Sequence, residues 1–325
     1  MGSESDTSKT DWLEGAKETF AVGIWVGNLL VTQASILLAL CFLPQGGFYT
    51  RAAVLWLVLL VTLLFIPVAP PGWAQRFTRW ALGKSAAYFP LTLHVEEELQ
   101  VGRPYVVGFE PHSHLPIALP MVLCEFSPFC PAALATVRTL ATNAVFWLPV
   151  TRHLWWWLGG RPATAKVMRA MLAEGKSPVV CPGGVRECLY LRHDAEVVFL
   201  RQRHGFVRIA LQYGAPLVPV FAFGQTRAYH WFKFGPPLVP QWMAEFMARR
   251  IGFLPIMLWG RWGTPMPRKG RIHMVIGKPI ELPKLEAPTR EEVQQYLGEY
   301  IKALQALFEG HKEAAGCPDA TLHVI

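Results

Sequence analysis

The chain has 325 residues, of which 52% are hydrophobic and only 17% charged, with a formal net charge of +8. That balance excludes a disordered chain, which combines low hydrophobicity with high charge, and it is oilier than an ordinary cytosolic enzyme, in which charged residues make up about 25%. Six cysteines with no Cys-x-x-Cys pair speak against a disulfide scaffold and for a reducing, cytosol-facing setting, while thirteen tryptophans point to a boundary between water and lipid.

Residues 1–18 read as a polar tail. No charged residue then occurs between Glu18 and Arg51. The apolar run Thr19–Leu43 would span about 37 Å as a helix, enough for a bilayer. A second run, Ala52–Ala69, reaches about 25 Å and is ended by Pro67, Pro70 and Pro71. The short turn Pro44–Thr50 between them predicts an antiparallel membrane hairpin over 19–74. Lys9 and Lys17 on one flank, and Arg76, Arg79 and Lys84 on the other, place both flanks and the main domain in the cytosol. A cleaved signal peptide and a pair of buried core helices are the competing readings.

From 75 to 311 short β-rich runs alternate with helical ones, and 312–325 reads as a C-terminal tail. Strands are expected at Tyr105–Phe109, Pro178–Cys181, Leu217–Phe223 and Ile272–Ile276. Helices are expected at Thr164–Glu174, stopped by Gly175, and at Phe206–Tyr213, stopped by Gly214. A third is expected from Thr289, which pairs with Glu292 as a capping box, to Glu309, stopped by Gly310. The fold class is therefore α/β: a membrane hairpin followed by a single cytosol-facing domain. No Gly-x-Ser-x-Gly, His-Glu-x-x-His or Gly-x-Gly-x-x-Gly occurs, and Thr78 stands where a phosphate loop ending at Gly83-Lys84-Ser85 would need its first glycine. No nucleic-acid module is present, and the positive charge fits anionic headgroups or a phosphorylated substrate.

Four segments could carry chemistry. In the first, Glu110-Pro111-His112-Ser113-His114 follows a strand. If it stays extended, Glu110, His112 and His114 project to one side. A neutral imidazole can take a proton from a hydroxyl, and a carboxylate can orient it. A helix-capping histidine and a metal site remain open alternatives there. In the second, Cys181-Pro182-Gly183-Gly184-Val185-Arg186-Glu187-Cys188 follows another strand. Its glycines can bring backbone N–H groups to a developing oxyanion, Glu187 can partner His112, and Arg186 suits a phosphate; a plain strand–turn–helix connection is the alternative. The third is the basic loop Arg201–Arg208, with Arg203 and Arg208, which suits phosphate or is an ordinary solvated turn. The fourth is aromatic: Trp155–Trp157, Trp231–Phe234 and Ile251–Trp262 mix rings with basic residues, as headgroup layers favour, with core packing the alternative. Three adjacent tryptophans make Trp155–Trp157 the expected interfacial set. Together these features fit acyl transfer from a phosphorylated, water-soluble donor to a lipid alcohol.

The blocks Tyr88-Phe89-Pro90, Glu110-Pro111-His112-Ser113, Pro182–Cys188, Arg203–Gln225 and Gly277-Lys278-Pro279-Ile280 with Pro283, in this order, resemble the type 2 diacylglycerol acyltransferase family. Glu-Pro-His-Ser in place of His-Pro-His-Gly is similar to its plant and algal branch. His114 departs from that pattern, where an aliphatic residue is usual. The resemblance implies residence in the endoplasmic reticulum membrane, association with lipid droplets, acyl-CoA as donor co-substrate and diacylglycerol as acceptor, with no separate cofactor or metal and no nucleic-acid partner. For that reaction His112 is expected to act as general base, oriented by Glu187 or Glu110. Pro111, Ser113, His114, Gly183 and Gly184 then line the substrate, and Arg186, Arg203, Arg208 and Lys278 contact coenzyme A phosphates. Cys181 and Cys188 are expected to pack rather than to form an acyl-enzyme.

Overall fold

The computed structural model describes residues 3–234, 239–251, 254 and 256–325. Its strands are β1 (Leu91–Val95), β2 (Val106–Glu110), β3 (Arg138–Ala141), β4 (Gly160–Pro162), β5 (Pro178–Val180), β6 (Glu196–Val198), β7 (Leu217–Phe223), β8 (His230–Lys233), β9 (Ile256–Trp259), β10 (Ile272–Ile276) and β11 (Leu322–Val324). The helices are α1 (Ser3–Phe42), α2 (Gly47–Leu63), α3 (Gly72–Tyr88), α4 (Ala118–Val122), α5 (Ala144–Trp147), α6 (Thr151–Trp157), α7 (Ala165–Ala173), α8 (Gly205–Tyr213), α9 (Gln241–Phe246) and α10 (Arg290–His311).

Seven strands form one sheet in the order β1-β10-β7-β2-β5-β3-β4. From β7 to β4 the strands run parallel, while β10 and β1 run parallel to each other and against the rest. Both faces are covered, which is why β7 is a continuous apolar run, β2 is apolar as far as Glu110, and both are buried at every position. On one face Val107, Phe109, Val218, Val220 and Met274 pack with residues of α1, α3 and α4. On the other, Val106, Leu217, Phe221 and Val275 pack with α7, α8 and α10.

The four expected strands form, within a residue or so at their ends, and so do the three expected helices. Gly175 and Gly214 end α7 and α8 at positive φ, 71° and 62°. The Thr289–Glu292 capping box is present, an arrangement worth about 1 kcal/mol. Gly310 does not stop α10, which runs one residue further to His311 and is capped at Lys312. The stretch 312–325 is not a loose tail either: β11 pairs in parallel with β6, and the Ile325 carbonyl accepts the N–H groups of Leu200 and Arg201.

The N-terminal boundary also differs. Residues 3–18 belong to α1, which bends by 56° between Asp11–Asn28 and a second stretch, Leu30–Gln45, that runs on past its end. Among the described residues no single helix is long and apolar enough to cross a membrane, although that bent pair is so in length and composition. The first half of α1 is a core element: Val22, Trp25 and Val26 are buried, and the Trp25 indole donates to Ser85 Oγ at 2.9 Å. Beyond the bend, Leu37 and Leu38, and Leu55, Val58 and Leu59 of α2, face outward. Helix α6 grips the exit of α2. The Arg152 guanidinium donates to the Leu64 carbonyl, His153 Nε2 to that of Ile66 at 3.2 Å, and Trp157 Nε1 to that of Val68 at 3.1 Å.

Candidate active site

The parallel strands β2, β5 and β7 are neighbours, so their C-terminal ends lie side by side. The histidine segment leaves β2, the glycine turn leaves β5, and Gln225 follows β7. Ligands of open α/β sheets bind at such strand ends. Sequence separation of about seventy residues thus becomes direct contact.

Glu187 holds the contact together. It is fully buried, and Oε1 accepts the backbone N–H of His112 at 2.6 Å and of Ser113 at 3.1 Å. Oε2 accepts the N–H of Phe199 at 3.2 Å. Two consecutive amides can converge on one oxygen because Ser113 adopts φ 54°, a conformation costing about 1–2 kcal/mol for a non-glycine residue. The peptide bond before Pro111 is cis, and the Pro111 carbonyl accepts Gln225 Nε2 at 2.6 Å. Gly183 lets Glu187 fold back over the turn, since a Cβ there would collide with Oε2. Gly184 takes φ 55°.

The His112 ring is oriented differently from expectation. Nδ1 lies 2.9 Å from the carbonyl of Ser113, which can only accept. Nδ1 therefore carries the proton and Nε2 the lone pair. No described residue hydrogen-bonds Nε2, and the ring is partly exposed. Burial lowers the His112 pKa against the pull of the Ser113 carbonyl, so the neutral base form is favoured. The role given to Glu187 or Glu110, orientation of the ring, thus passes to a backbone carbonyl, and Glu187 fixes the main chain that carries it.

Glu110 points to the other side of β2. Its oxygens are buried and make no hydrogen bond. Burial and then the Glu187 charge push its pKa well up. Burial also pushes Glu187 up, to about 7, against three amide donors. Glu110 is raised the further of the two, so the proton of the pair resides on Glu110. Next to it stands the Tyr300 hydroxyl, also without a partner, which reaches across β2 where Gly108 lacks a side chain. The segment is not extended after Pro111. His114 turns to Tyr229 and Trp231, with ring centroids at 6.0 and 6.5 Å, and burial brings its pKa down to about 4.

Of the cationic residues, Arg186 and Arg203 come together. Both guanidiniums stand over the Phe199 ring, at 4.6 and 5.1 Å from its centroid, and Arg203 donates to the Gly183 carbonyl at 2.6 Å. Arg208 does not join them, since its guanidinium donates to the Pro288 carbonyl at 3.1 Å. Arg201 likewise turns to the Val324 carbonyl. Lys278 follows β10, which runs against β7, and Ile276 pairs with Val220 while His273 pairs with Phe223. Lys278 therefore lies at the opposite end of the sheet from His112. Burial raises the pKa of Cys181 and Cys188, and the Cys188 thiol donates to the Ser113 carbonyl at 3.1 Å, an arrangement of a packing residue rather than a nucleophile. No group of three or more His, Cys, Asp or Glu among the described residues could hold a metal ion.

The three rings of Trp155–Trp157, all partly exposed, go to different neighbours. Trp157 packs edge-on against Trp73, Trp156 lies under Arg161 and Trp155 borders an internal cavity. Trp231 stacks on His193, and positions 252, 253 and 255 of the stretch 251–262 lie outside the described residues. Gln225 and Phe199 escaped the reading of the sequence. The one signal for Gln225 was a polar residue closing the apolar run of β7.

The family model described as Diacylglycerol acyltransferase matches residues 48–325. The chain belongs to the diacylglycerol acyltransferase family. Relatives in this family differ in the acceptor for which they are named. Diacylglycerol O-acyltransferase 2 of Xenopus tropicalis is 29% identical over 92% of this chain and 86% of its own. The 2-acylglycerol O-acyltransferase 3 of Homo sapiens is 31% identical over 94% and 92%. Acyl-CoA wax alcohol acyltransferase 2 of Mus musculus is 30% identical over 96% and 97%. The crystal structure of the 1-acyl-sn-glycerophosphate acyltransferase PlsC from Thermotoga maritima aligns with 93% of this chain and 96% of its own at 16% identity, with a TM-score of 0.43.

Proposed function

We propose that this protein is an acyl-CoA:diacylglycerol O-acyltransferase that makes triacylglycerol at the cytosolic face of the endoplasmic reticulum membrane and on lipid droplets. The observation that carries this reading is the fixed tautomer of His112, with a bare Nε2, on a segment that Glu187 of the glycine turn holds at the end of the sheet. Nε2 takes the proton of the free glycerol hydroxyl as its oxygen attacks the thioester carbonyl. Backbone amides at Gly183–Gly184 are the assigned donors to the resulting oxyanion. The carbon–sulfur bond then breaks, and the imidazolium returns its proton to the departing thiolate. Arg186 and Arg203 supply the charge for coenzyme A phosphates. The outward-facing apolar residues of α1 and α2, with Arg76 and Arg79 just beyond them, support insertion of the hairpin in a bilayer.

The test is to incubate membranes carrying the expressed protein with labelled oleoyl-CoA and, separately, diacylglycerol, monoacylglycerol, a long-chain alcohol and phytol. Triacylglycerol as the dominant labelled ester supports the reading. A wax, phytyl or diacylglycerol product in its place reassigns the acceptor, and no labelled ester removes the acyltransferase reading.

A further inference from the structure

Helix α3 is the first helix after α2, and it is two-faced. Ala74, Thr78, Ala81, Leu82 and Ser85 are buried, and Ser85 Oγ accepts the Trp25 indole of α1 at 2.9 Å. Arg76, Arg79, Trp80 and Gly83 follow one another at helical spacings of three, four and seven residues. With Lys84 they line a groove of about 460 Å³ whose far wall is Pro128, a volume within the range of small-molecule sites. Gly83 gives the groove its depth. A Cβ there would meet Pro128 at 3.7 Å, so a longer side chain would fill the gap.

The groove is cationic and has no anion of its own. Among the described residues no Asp or Glu lines it, and neither Arg76 nor Arg79 has a hydrogen bond or an ion pair. Lys84 is held by Glu14 of α1, which also takes Lys17. Two free guanidiniums about one helical turn apart present planar donor forks, the geometry that suits a phosphate.

The surroundings say which phosphate. Trp80 packs with Phe20 of α1 and with Phe77, at ring centroid distances of 6.4 and 5.8 Å. Phe20, Trp73 and Phe129, the neighbour of Pro128, are exposed. Exposed rings beside cations are the composition of a headgroup layer. The groove also comes where the outward-facing apolar residues of α2 give way to the α/β domain. A soluble phosphate would use the arginines alone, whereas a phospholipid uses the arginines and the rings.

We propose that the α3 groove binds the headgroup phosphate of an anionic phospholipid, with Arg76 and Arg79 on the phosphate and Trp80 against the glycerol backbone, and so docks the domain on the bilayer surface. The proposal shares with the acyltransferase reading only the place of the hairpin in the membrane, and its test needs no turnover.

The test uses the full chain purified in a neutral detergent. Dioctanoyl phosphatidic acid is titrated in, and binding is read by native mass spectrometry and by the rise in Tm. One saturable site is expected, with dioctanoyl phosphatidylcholine, whose choline offsets the phosphate charge, bound severalfold more weakly. The double variant Arg76→Gln/Arg79→Gln should keep the lipid-free Tm and weaken phosphatidic acid about thirtyfold, the scale of two cations beside an anionic lipid. Gly83→Leu should also weaken it, with no change of charge, and Lys302→Gln on α10 should leave it unchanged. Parent affinity in the double variant or in Gly83→Leu, or an equal loss in Lys302→Gln, overturns the proposal. So does saturation by inorganic phosphate at the concentration of the lipid, which makes the groove a soluble-phosphate site. Displacement by equimolar coenzyme A makes it part of the donor site and overturns the proposal as well.

Discussion

Glu187 binds His112 through the main chain and leaves the imidazole to a carbonyl. Glu187 accepts three backbone N–H groups and none from the imidazole, so its contribution is to place the ring rather than to polarise it. The two carboxyls of the site then respond oppositely to the same substitution. Glu110→Gln replaces a group already protonated, and activity should stay within about threefold of the parent. Glu187→Gln turns an NH2 towards an amide donor and leaves a buried N–H unpaired, a cost of about 1–3 kcal/mol. Thermal unfolding of both variants, together with kcat, checks this. Equal loss in the two would show that Glu110 is the ionised member.

His112→Ala should lower kcat by about two to four orders of magnitude, the usual worth of a general base, with the protein still inserted and folded. Its backbone N–H, and so its bond to Glu187, survives the substitution. Activity near the parent level would exclude His112 as the base.

The pH profile follows from the same ring. Burial lowers its pKa below the ordinary 6.5, so the base form persists on the acid side of neutrality. The kcat/KM profile should be level through neutral pH, with its acid limb below pH 6.5. The sign for stability agrees: below 6.5 the unfolded chain binds a proton that the native ring resists, so the fold weakens as pH falls. An acid limb centred above 6.5 would contradict the burial argument.

Much of this was legible in the sequence. The strands β2, β5, β7 and β10, the capping box at Thr289 and the pairing of the histidine and glycine blocks all follow from apolar runs closed by Gly, Pro or a cap. What periodicity cannot show is strand order. The resemblance put Lys278 with the phosphate ligands because its block lies in the same series, yet β10 runs backwards and carries it to the far end of the sheet. Nor does periodicity show where a side chain spends its donors. Three arginines in one basic loop go to three different carbonyls. The strands β3 and β4 were missed because they are short and carry polar or glycine residues, Arg138 and Thr139, Gly160 and Arg161, and only their place in the sheet makes them strands.

The arginine sorting is open to a direct check. Arg186→Ala and Arg203→Ala should each raise the KM for acyl-CoA severalfold and leave that for the alcohol unchanged. Arg208→Ala and Lys278→Ala should move neither. Arg203 also holds the Gly183 carbonyl, so its variant should lose kcat as well, whereas Arg186→Ala should not. A raised acyl-CoA KM in Lys278→Ala would mean that the donor reaches across the whole sheet end to end.

The two glycines of the turn are needed for different reasons, and alanine separates them. Gly183 has an ordinary helical φ of −62°, so alanine costs nothing in backbone strain there. Its Cβ, however, would sit on the Glu187 carboxylate, which must move and release His112, Ser113 and Phe199. Gly184 has open space, with no atom nearer than the Arg203 guanidinium at 4.0 Å, but a φ of 55° that costs a non-glycine residue about 1–2 kcal/mol. Gly184→Ala should therefore lower thermal stability modestly while sparing kcat, and Gly184→Asn should recover part of the loss, since Asn tolerates the left-handed region. Gly183→Ala should lose kcat steeply, and no conservative replacement should restore it. If Gly183→Ala retains the parent rate, the buried carboxylate does not set the position of the catalytic ring.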